Sequence, residues 1–205
     1  MLFAEIKKTM ESFDFNQISN ERKLMLQPLI TYIQNKVNNE EHIRLNFICT
    51  HNSRRSHLSQ IWAQAAAAHY RINNLSCYSG GTKVTGMYSM IAETLKSAGF
   101  KIKELVKGEN PVYSIKYGEN SHPIIGFSKL YDDDFNPENQ FAAIMTCSQA
   151  DGGCPFIAGA EKRFPITFED PKVSDGTTMQ KEVYQQRSYQ IGTEMLYVFS
   201  KIKSF

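Results

Sequence analysis

The sequence predicts an α/β fold built on a doubly wound, mostly parallel sheet, and three observations carry that prediction. Short apolar runs rich in β-branched and aromatic residues alternate with longer segments of helical periodicity. The first forty residues are helical in pattern throughout and precede the first such run. Two cysteines, Cys49 and Cys147, each close a strand-like run, and open sheets of this class bind ligands beyond the carboxyl ends of their strands. The expected organisation is a helical N-terminal extension over residues 1–40 and an α/β domain over 41–205, with a β-hairpin insertion at about 110–131.

The elements follow in order. From Ser19 onward Leu26, Leu29, Ile30, Ile33 and Val37 recur at helical spacing, with Pro28 as a kink or restart. This extension either packs on the domain or forms a homodimer contact. Residues 44–48 read as the first strand and 55–70 as a helix, in which Ala65 to Ala68 allow close packing on the sheet. Residues 75–79 form a second strand ended by Gly80 and Gly81; a helix spans 84–97 and stops at Gly99; residues 102–106 are a third strand. Residues 112–117 and 124–130, with Gly118, Glu119 and Asn120 between them, read as a hairpin that shapes the rim of the site. Residues 141–146 are a buried strand and 164–168 a fifth. Thr177 with Gln180 forms a capping box, and Ile191, Met195, Val198 and Ile202 give the last helix its apolar face.

Composition narrows the function. Lysine and arginine number 23 against 21 acidic residues, a net charge of +2, with no basic run to track a nucleic-acid backbone. The first residues lack a signal-peptide core, and no stretch of about 18 apolar residues exists for a membrane span, so the expected location is the cytoplasm. Four cysteines are too few for a secreted disulfide scaffold, and in a reducing compartment they read as catalytic or redox residues. Cys147 and Cys154 are spaced too widely for the usual zinc pair, and the histidines at 42, 51, 57, 69 and 122 show no ligand spacing beside them, so no metal site is expected. Cys77, in Leu75-Ser76-Cys77-Tyr78, reads as a small core residue.

The chemistry concentrates in Cys49-Thr50-His51-Asn52-Ser53-Arg54-Arg55-Ser56, a loop between strand and helix. Free N–H groups and the dipole at a helix N-terminus favour an anion there, and the same field favours a thiolate, which makes Cys49 a candidate nucleophile. Arg55, six residues on, offers a planar fork for a tetrahedral oxyanion. Thr50, His51, Asn52, Ser53, Arg54 and Ser56 complete the candidate oxyanion loop. Taken alone, a Cys-x5-Arg spacing is equally a buried cysteine before a basic helix start. Cys147 and Cys154 then bracket Ser148-Gln149-Ala150-Asp151-Gly152-Gly153; Cys154 precedes Pro155, and Asp170-Pro171 follows sixteen residues later.

On these residues the chain resembles the thioredoxin-coupled arsenate reductases of the low-molecular-weight protein tyrosine phosphatase superfamily, from about Ile43 to the C-terminus. The resemblance implies arsenate reduction, with Cys49 attacking arsenic and Asp170 serving as general acid. It further implies that Cys147 and Cys154 relay the resulting disulfide to reduced thioredoxin, with no bound cofactor. The low-molecular-weight tyrosine phosphatases share Cys49, Arg55 and Asp170 and are the alternative, although Lys172 and Val173 stand where tandem tyrosines typically follow Asp-Pro. A redox-sensing oxyanion-binding module is a third reading. His51 replaces the family's usual glycine and Arg54 its frequent cysteine, adding positive charge; a left-handed backbone at His51 would be strained. Some relatives hold a potassium ion near the loop: Asn52 and Ser79 match two of its ligands, while Gln60 stands where a glutamate is expected.

Overall fold

The computed structural model describes residues 1–153 and 156–203. Helix α1 (Ala4–Glu11) and a turn of 3-10 helix lead to α2 (Asn20–Asn38), which Ser19 caps by accepting from the Arg22 N–H. Helix α2 continues through Pro28; the carbonyl that a proline leaves free four residues back belongs to Leu24, which lies exposed. Then follow β1 (Ile43–Cys49), α3 (Arg55–His69), β2 (Leu75–Gly81), α4 (Ser89–Ser97), β3 (Lys101–Val106), β4 (Val112–Lys116) and β5 (Ile124–Gly126). The chain closes with β6 (Phe141–Met145), α5 (Ser148–Gly153), β7 (Ala160–Pro165) and α6 (Gln180–Ser200).

Strands β2, β1, β6 and β7 form, in that order, a wholly parallel sheet. Period-two alternation divides its side chains. Leu45, Phe47, Ala142 and Ile144 join the main core, together with Leu26, Leu29 and Ile33 of α2, Leu58, Ile61 and Trp62 of α3, and Ile191, Met195 and Phe199 of α6. Ile48, Phe141, Ala143 and Met145 point the other way, onto Cys147, Ala150, Ile157 and Tyr131. β6 is therefore apolar on both faces, while β1 is buried on both and carries the polar Asn46 on its second face. Trp62 donates to Ser188 inside the core, so its one polar atom is satisfied.

Several elements depart from the expectation. The strand near 102–106 exists, but it pairs antiparallel with β4 in a separate three-stranded sheet, β3-β4-β5. The helix expected over 84–97 begins only at Ser89, because residues 85–88 are tied to the Cys49 loop. Ser53 donates to the Gly86 carbonyl at 2.7 Å, and the Tyr88 N–H donates to Ser53. A Cβ on Gly86 would stand 2.3 Å from the Glu109 carbonyl oxygen, so this segment is held too closely to coil. The hairpin's second strand stops at Gly126, and residues 128–131 become a strap across the end of β2: Gly81 N–H donates to the Lys129 carbonyl and Tyr131 N–H to the Gly81 carbonyl. The fifth strand is centred earlier than expected, at β7. The capping box on Thr177 does not form; Gln180 instead accepts from the Gly176 N–H and donates to the Tyr88 hydroxyl.

Candidate active site

Cys49 ends β1, the strand flanked by β2 and β6, and α3 starts six residues later at Arg55. Between them, the backbone N–H groups of residues 51–55 donate to no acceptor among the described residues. Unspent donors at a helix N-terminus form an anion cradle. The turn is made at Asn52, whose φ of 42° is left-handed, while His51 stays out of that region. The strain anticipated at His51 therefore falls on Asn52, a residue type that tolerates it. Gly81 lets the loop lie against β2: a Cβ there would meet the Asn52 nitrogen at 2.7 Å.

Asn52 also organises the loop through its side chain. Its Nδ2 donates to Ser56 Oγ at 2.9 Å, and its Oδ1 accepts from the Lys129 N–H at 3.0 Å, all in buried surroundings. With Ser56 Oγ already accepting from Asn52, its own proton is free to point at Cys49 Sγ, 3.2 Å away. The nucleophile candidate is buried, with the Ser56 hydroxyl in hydrogen-bond contact with its sulfur.

Arg55 is buried and bridges two acceptors: Nη1 donates to the Phe168 carbonyl at 2.9 Å and Nη2 to Asp170 Oδ2 at 2.6 Å. Asp170 caps the 3-10 turn Pro171–Ser174 by accepting from the Lys172 N–H, so the turn-capping role and the position beside Arg55 coexist. Arg54 needs a correction. Its guanidinium, expected to add charge at the anion, turns to Tyr184 at 2.6 Å and to Asp175 at 2.5 Å, with its planar face over Tyr88. What it can still offer an anion is its backbone N–H. His51, by burial first and by Lys172, Lys83 and Arg54 next, is pushed toward its neutral form, with Asp170 opposing.

Cys147 lies at the start of α5, fully buried, with a free thiol. The Ala150 N–H donates to its sulfur at 3.3 Å, and Thr50 Oγ1, next in chain to Cys49, sits 3.4 Å from the same sulfur. The loop and the second cysteine thus meet, although 97 residues separate Thr50 from Cys147. Cys154 lies outside the described residues. Cys77 is buried on β2, and burial pushes its thiol well above the usual range, in keeping with a core role.

Sequence reasoning missed a polar cluster beneath the loop. Ser79 Oγ sits 3.3 Å from Nδ1 of His57, which burial, with Lys129 nearby, pushes down to about 3. The Lys129 ammonium is buried against the Phe127–Phe135 ring pair, 4.5 and 5.4 Å from their centres, and has no hydrogen-bond partner among the described residues. Burial pushes its pKa down to about 8, opposed by Asp133. The only cue in the sequence was a lysine at the end of a mostly apolar run, and that cue points to no partner. Beside the loop, an open cleft of about 680 Å³ is bordered by His51, Ser53, Arg54, Tyr88 and Lys172, and by Glu104 and Tyr113 of the second sheet.

No protein-family model matches the chain. Over 141 residues, 69% of this chain and 83% of the relative, it is 26% identical to an arsenate reductase of Bacillus licheniformis. A low-molecular-weight phosphotyrosine phosphatase from Vibrio cholerae O395 superimposes with a TM-score of 0.50 at 14% identity, covering 77% of this chain and 94% of that one. A mutant of YwlE from Bacillus subtilis gives a TM-score of 0.50 at 13% identity, covering 77% and 97%. The chain is thus similar over most of its length to an arsenate reductase, and it has the fold of the low-molecular-weight phosphatases.

Proposed function

We propose that the protein reduces arsenate to arsenite through a cysteine relay recharged by thioredoxin. The observation that carries this reading is the second buried thiol at the loop, Cys147, touched by Thr50 and by the α5 N-terminus. Hydrolysis by water has no use for it. The similarity to an arsenate reductase supports the same reading.

Arsenate would sit on the N–H groups of residues 51–55 with Arg55 across it. It would compete with Asp170 for the guanidinium, freeing that carboxyl to deliver a proton. The Cys49 thiolate bonds to arsenic, and one arsenate oxygen leaves as water after protonation from Asp170. Cys147 then attacks the Cys49 sulfur. The sulfur–arsenic electron pair stays on arsenic, which leaves as arsenite, and a Cys49–Cys147 disulfide forms. The two electrons gained by arsenic are the two lost by the thiols. Cys154 next attacks Cys147, releasing Cys49 and leaving a Cys147–Cys154 disulfide for reduced thioredoxin. Gly152 and Gly153, which precede Cys154 in the chain, would permit the refolding that this last step requires.

One observation favours a second activity, phosphate-ester hydrolysis. The cleft of about 680 Å³ beside the loop is far larger than an inorganic oxyanion requires. The test is an arsenate assay with thioredoxin, thioredoxin reductase and NADPH, run beside hydrolysis of a phosphotyrosine analogue. Arsenate-dependent NADPH oxidation that vanishes in Cys147→Ser supports the relay; ester hydrolysis alone, unchanged in Cys147→Ser, makes the protein a phosphatase.

A further inference from the structure

The potassium ion found near the loop in some relatives does not fit the residues present. Both polar atoms of the Asn52 side chain are already engaged, by Ser56 and by the Lys129 N–H. Ser79 Oγ faces His57, and the neutral Gln60 donates its amide to the Cys77 carbonyl. The neutral Gln60 stands in place of the expected glutamate, and a covalently held cation lies nearby: the Lys129 ammonium acts on His57, the partner of Ser79. Lys129 borders one cavity with Gln60 and Asn136, and the unpartnered atoms around it are Lys129 Nζ itself, Gln60 Oε1 and Asn136 Oδ1. One donor cation thus borders the same cavity as two residues with idle acceptors, and a metal ion placed among them would meet like charge.

We propose that Lys129 is a positioning residue whose buried ammonium replaces a bound monovalent cation, setting the Cys49 loop without potassium. The inference rests on the oxyanion reading of that loop. The connection is short. The Lys129 N–H holds Asn52, Asn52 holds Ser56, and the Ser56 hydroxyl faces Cys49. The Lys129 carbonyl accepts from Gly81, the residue against which the loop rests. Pinned at both backbone groups and set against the Phe127–Phe135 ring pair, the side chain holds its positive charge near His57, beneath the anion loop. The rings add cation–π attraction, and the Asp133 carboxylate acts on the ammonium from a distance without forming an ion pair with it. A buried cation kept without an anionic hydrogen-bond partner is costly, and an apolar residue of similar length would pack there more favourably. Stability and loop function therefore make opposite demands on this position.

That opposition supplies the test. The full chain is melted, and its inorganic phosphate affinity measured, in potassium, sodium and choline chloride at equal ionic strength, for wild type and Lys129→Met. Wild type is expected to give the same melting temperature and the same phosphate affinity, within about twofold, in all three salts. Lys129→Met is expected to melt no lower than wild type yet bind phosphate roughly ten- to a hundredfold more weakly, as when supporting groups around a site are lost. A wild-type melting temperature or affinity that rises selectively in potassium overturns the proposal, as does a folded Lys129→Met with wild-type phosphate affinity. If wild type binds no phosphate in any salt, the oxyanion reading fails instead, and the salt dependence of its melting alone decides whether potassium enters the site.

Discussion

Asn52 joins backbone strain and a buried hydrogen-bond network in one residue, and substituting it separates the two. Asn52→Gly keeps the left-handed φ of 42° at no steric cost but deletes both side-chain bonds, to Ser56 Oγ and from the Lys129 N–H. Each lost bond is buried and costs about 1–3 kcal/mol, so Asn52→Gly should destabilise by about 2–6 kcal/mol. Asn52→Ala loses the same bonds and adds about 1–2 kcal/mol for a β-carbon in the left-handed region. Urea unfolding of the three proteins should rank them wild type, then Gly, then Ala, with unchanged slopes. A whole domain has only about 5–15 kcal/mol to lose, so the shifts are large and easily read. If Asn52→Gly matches wild type, the side-chain network contributes nothing. If Ala matches Gly, the loop does not need the left-handed turn.

Other outcomes follow from the same geometry. Arg55→Lys cannot bridge two acceptors with a planar fork and should lower kcat/KM about 10²–10³-fold in steady-state assays; a near-wild-type value would remove Arg55 from the transition state. Asp170→Asn should slow the first chemical step by about 10²–10⁴-fold while phosphate binds at least as well, because Arg55 loses its competing partner; weakened binding with an intact rate would leave Asp170 only its turn-capping role. His57, held neutral in the fold at about 3 against an ordinary 6.5, binds its proton more readily in the unfolded chain. Its contribution is therefore complete above pH 6.5 and is lost as pH falls toward 3, at about 1.4 kcal/mol per pH unit. Denaturant titrations of His57→Gln across that window should show a flatter slope than wild type, and an identical slope would contradict the burial argument.

What was legible in the sequence was what depends on neighbours in the chain. The apolar run into Cys49, the polar loop and the helix after it are local signals, and the parallel sheet follows from strands alternating with helices. Cys147 was legible because it too ends a buried strand. The misreadings concern partners distant in sequence. Arg54 could not be placed from its neighbours, since Asp175 and Tyr184 lie 121 and 130 residues away and only the fold brings them to it. The strand at 102–106 announces its conformation but not which sheet it joins, because its pairing with β4 is decided by a separate hairpin. Residues 85–88 carry helix-compatible side chains, yet their hydrogen bonds go to the Cys49 loop. Lys129 depends on aromatic rings and on the position of Asn52, 77 residues earlier.

The central claim is that Cys147 resolves the Cys49–arsenic adduct and Cys154 carries the disulfide onward. Cys154→Ser protein, treated with arsenate and thioredoxin, separates this relay from every hydrolytic alternative. It should release about one arsenite per chain and stall, and mass mapping under non-reducing conditions should find a Cys49–Cys147 crosslink that is absent without arsenate. Continued arsenite production by Cys154→Ser, with no such crosslink, would contradict the relay.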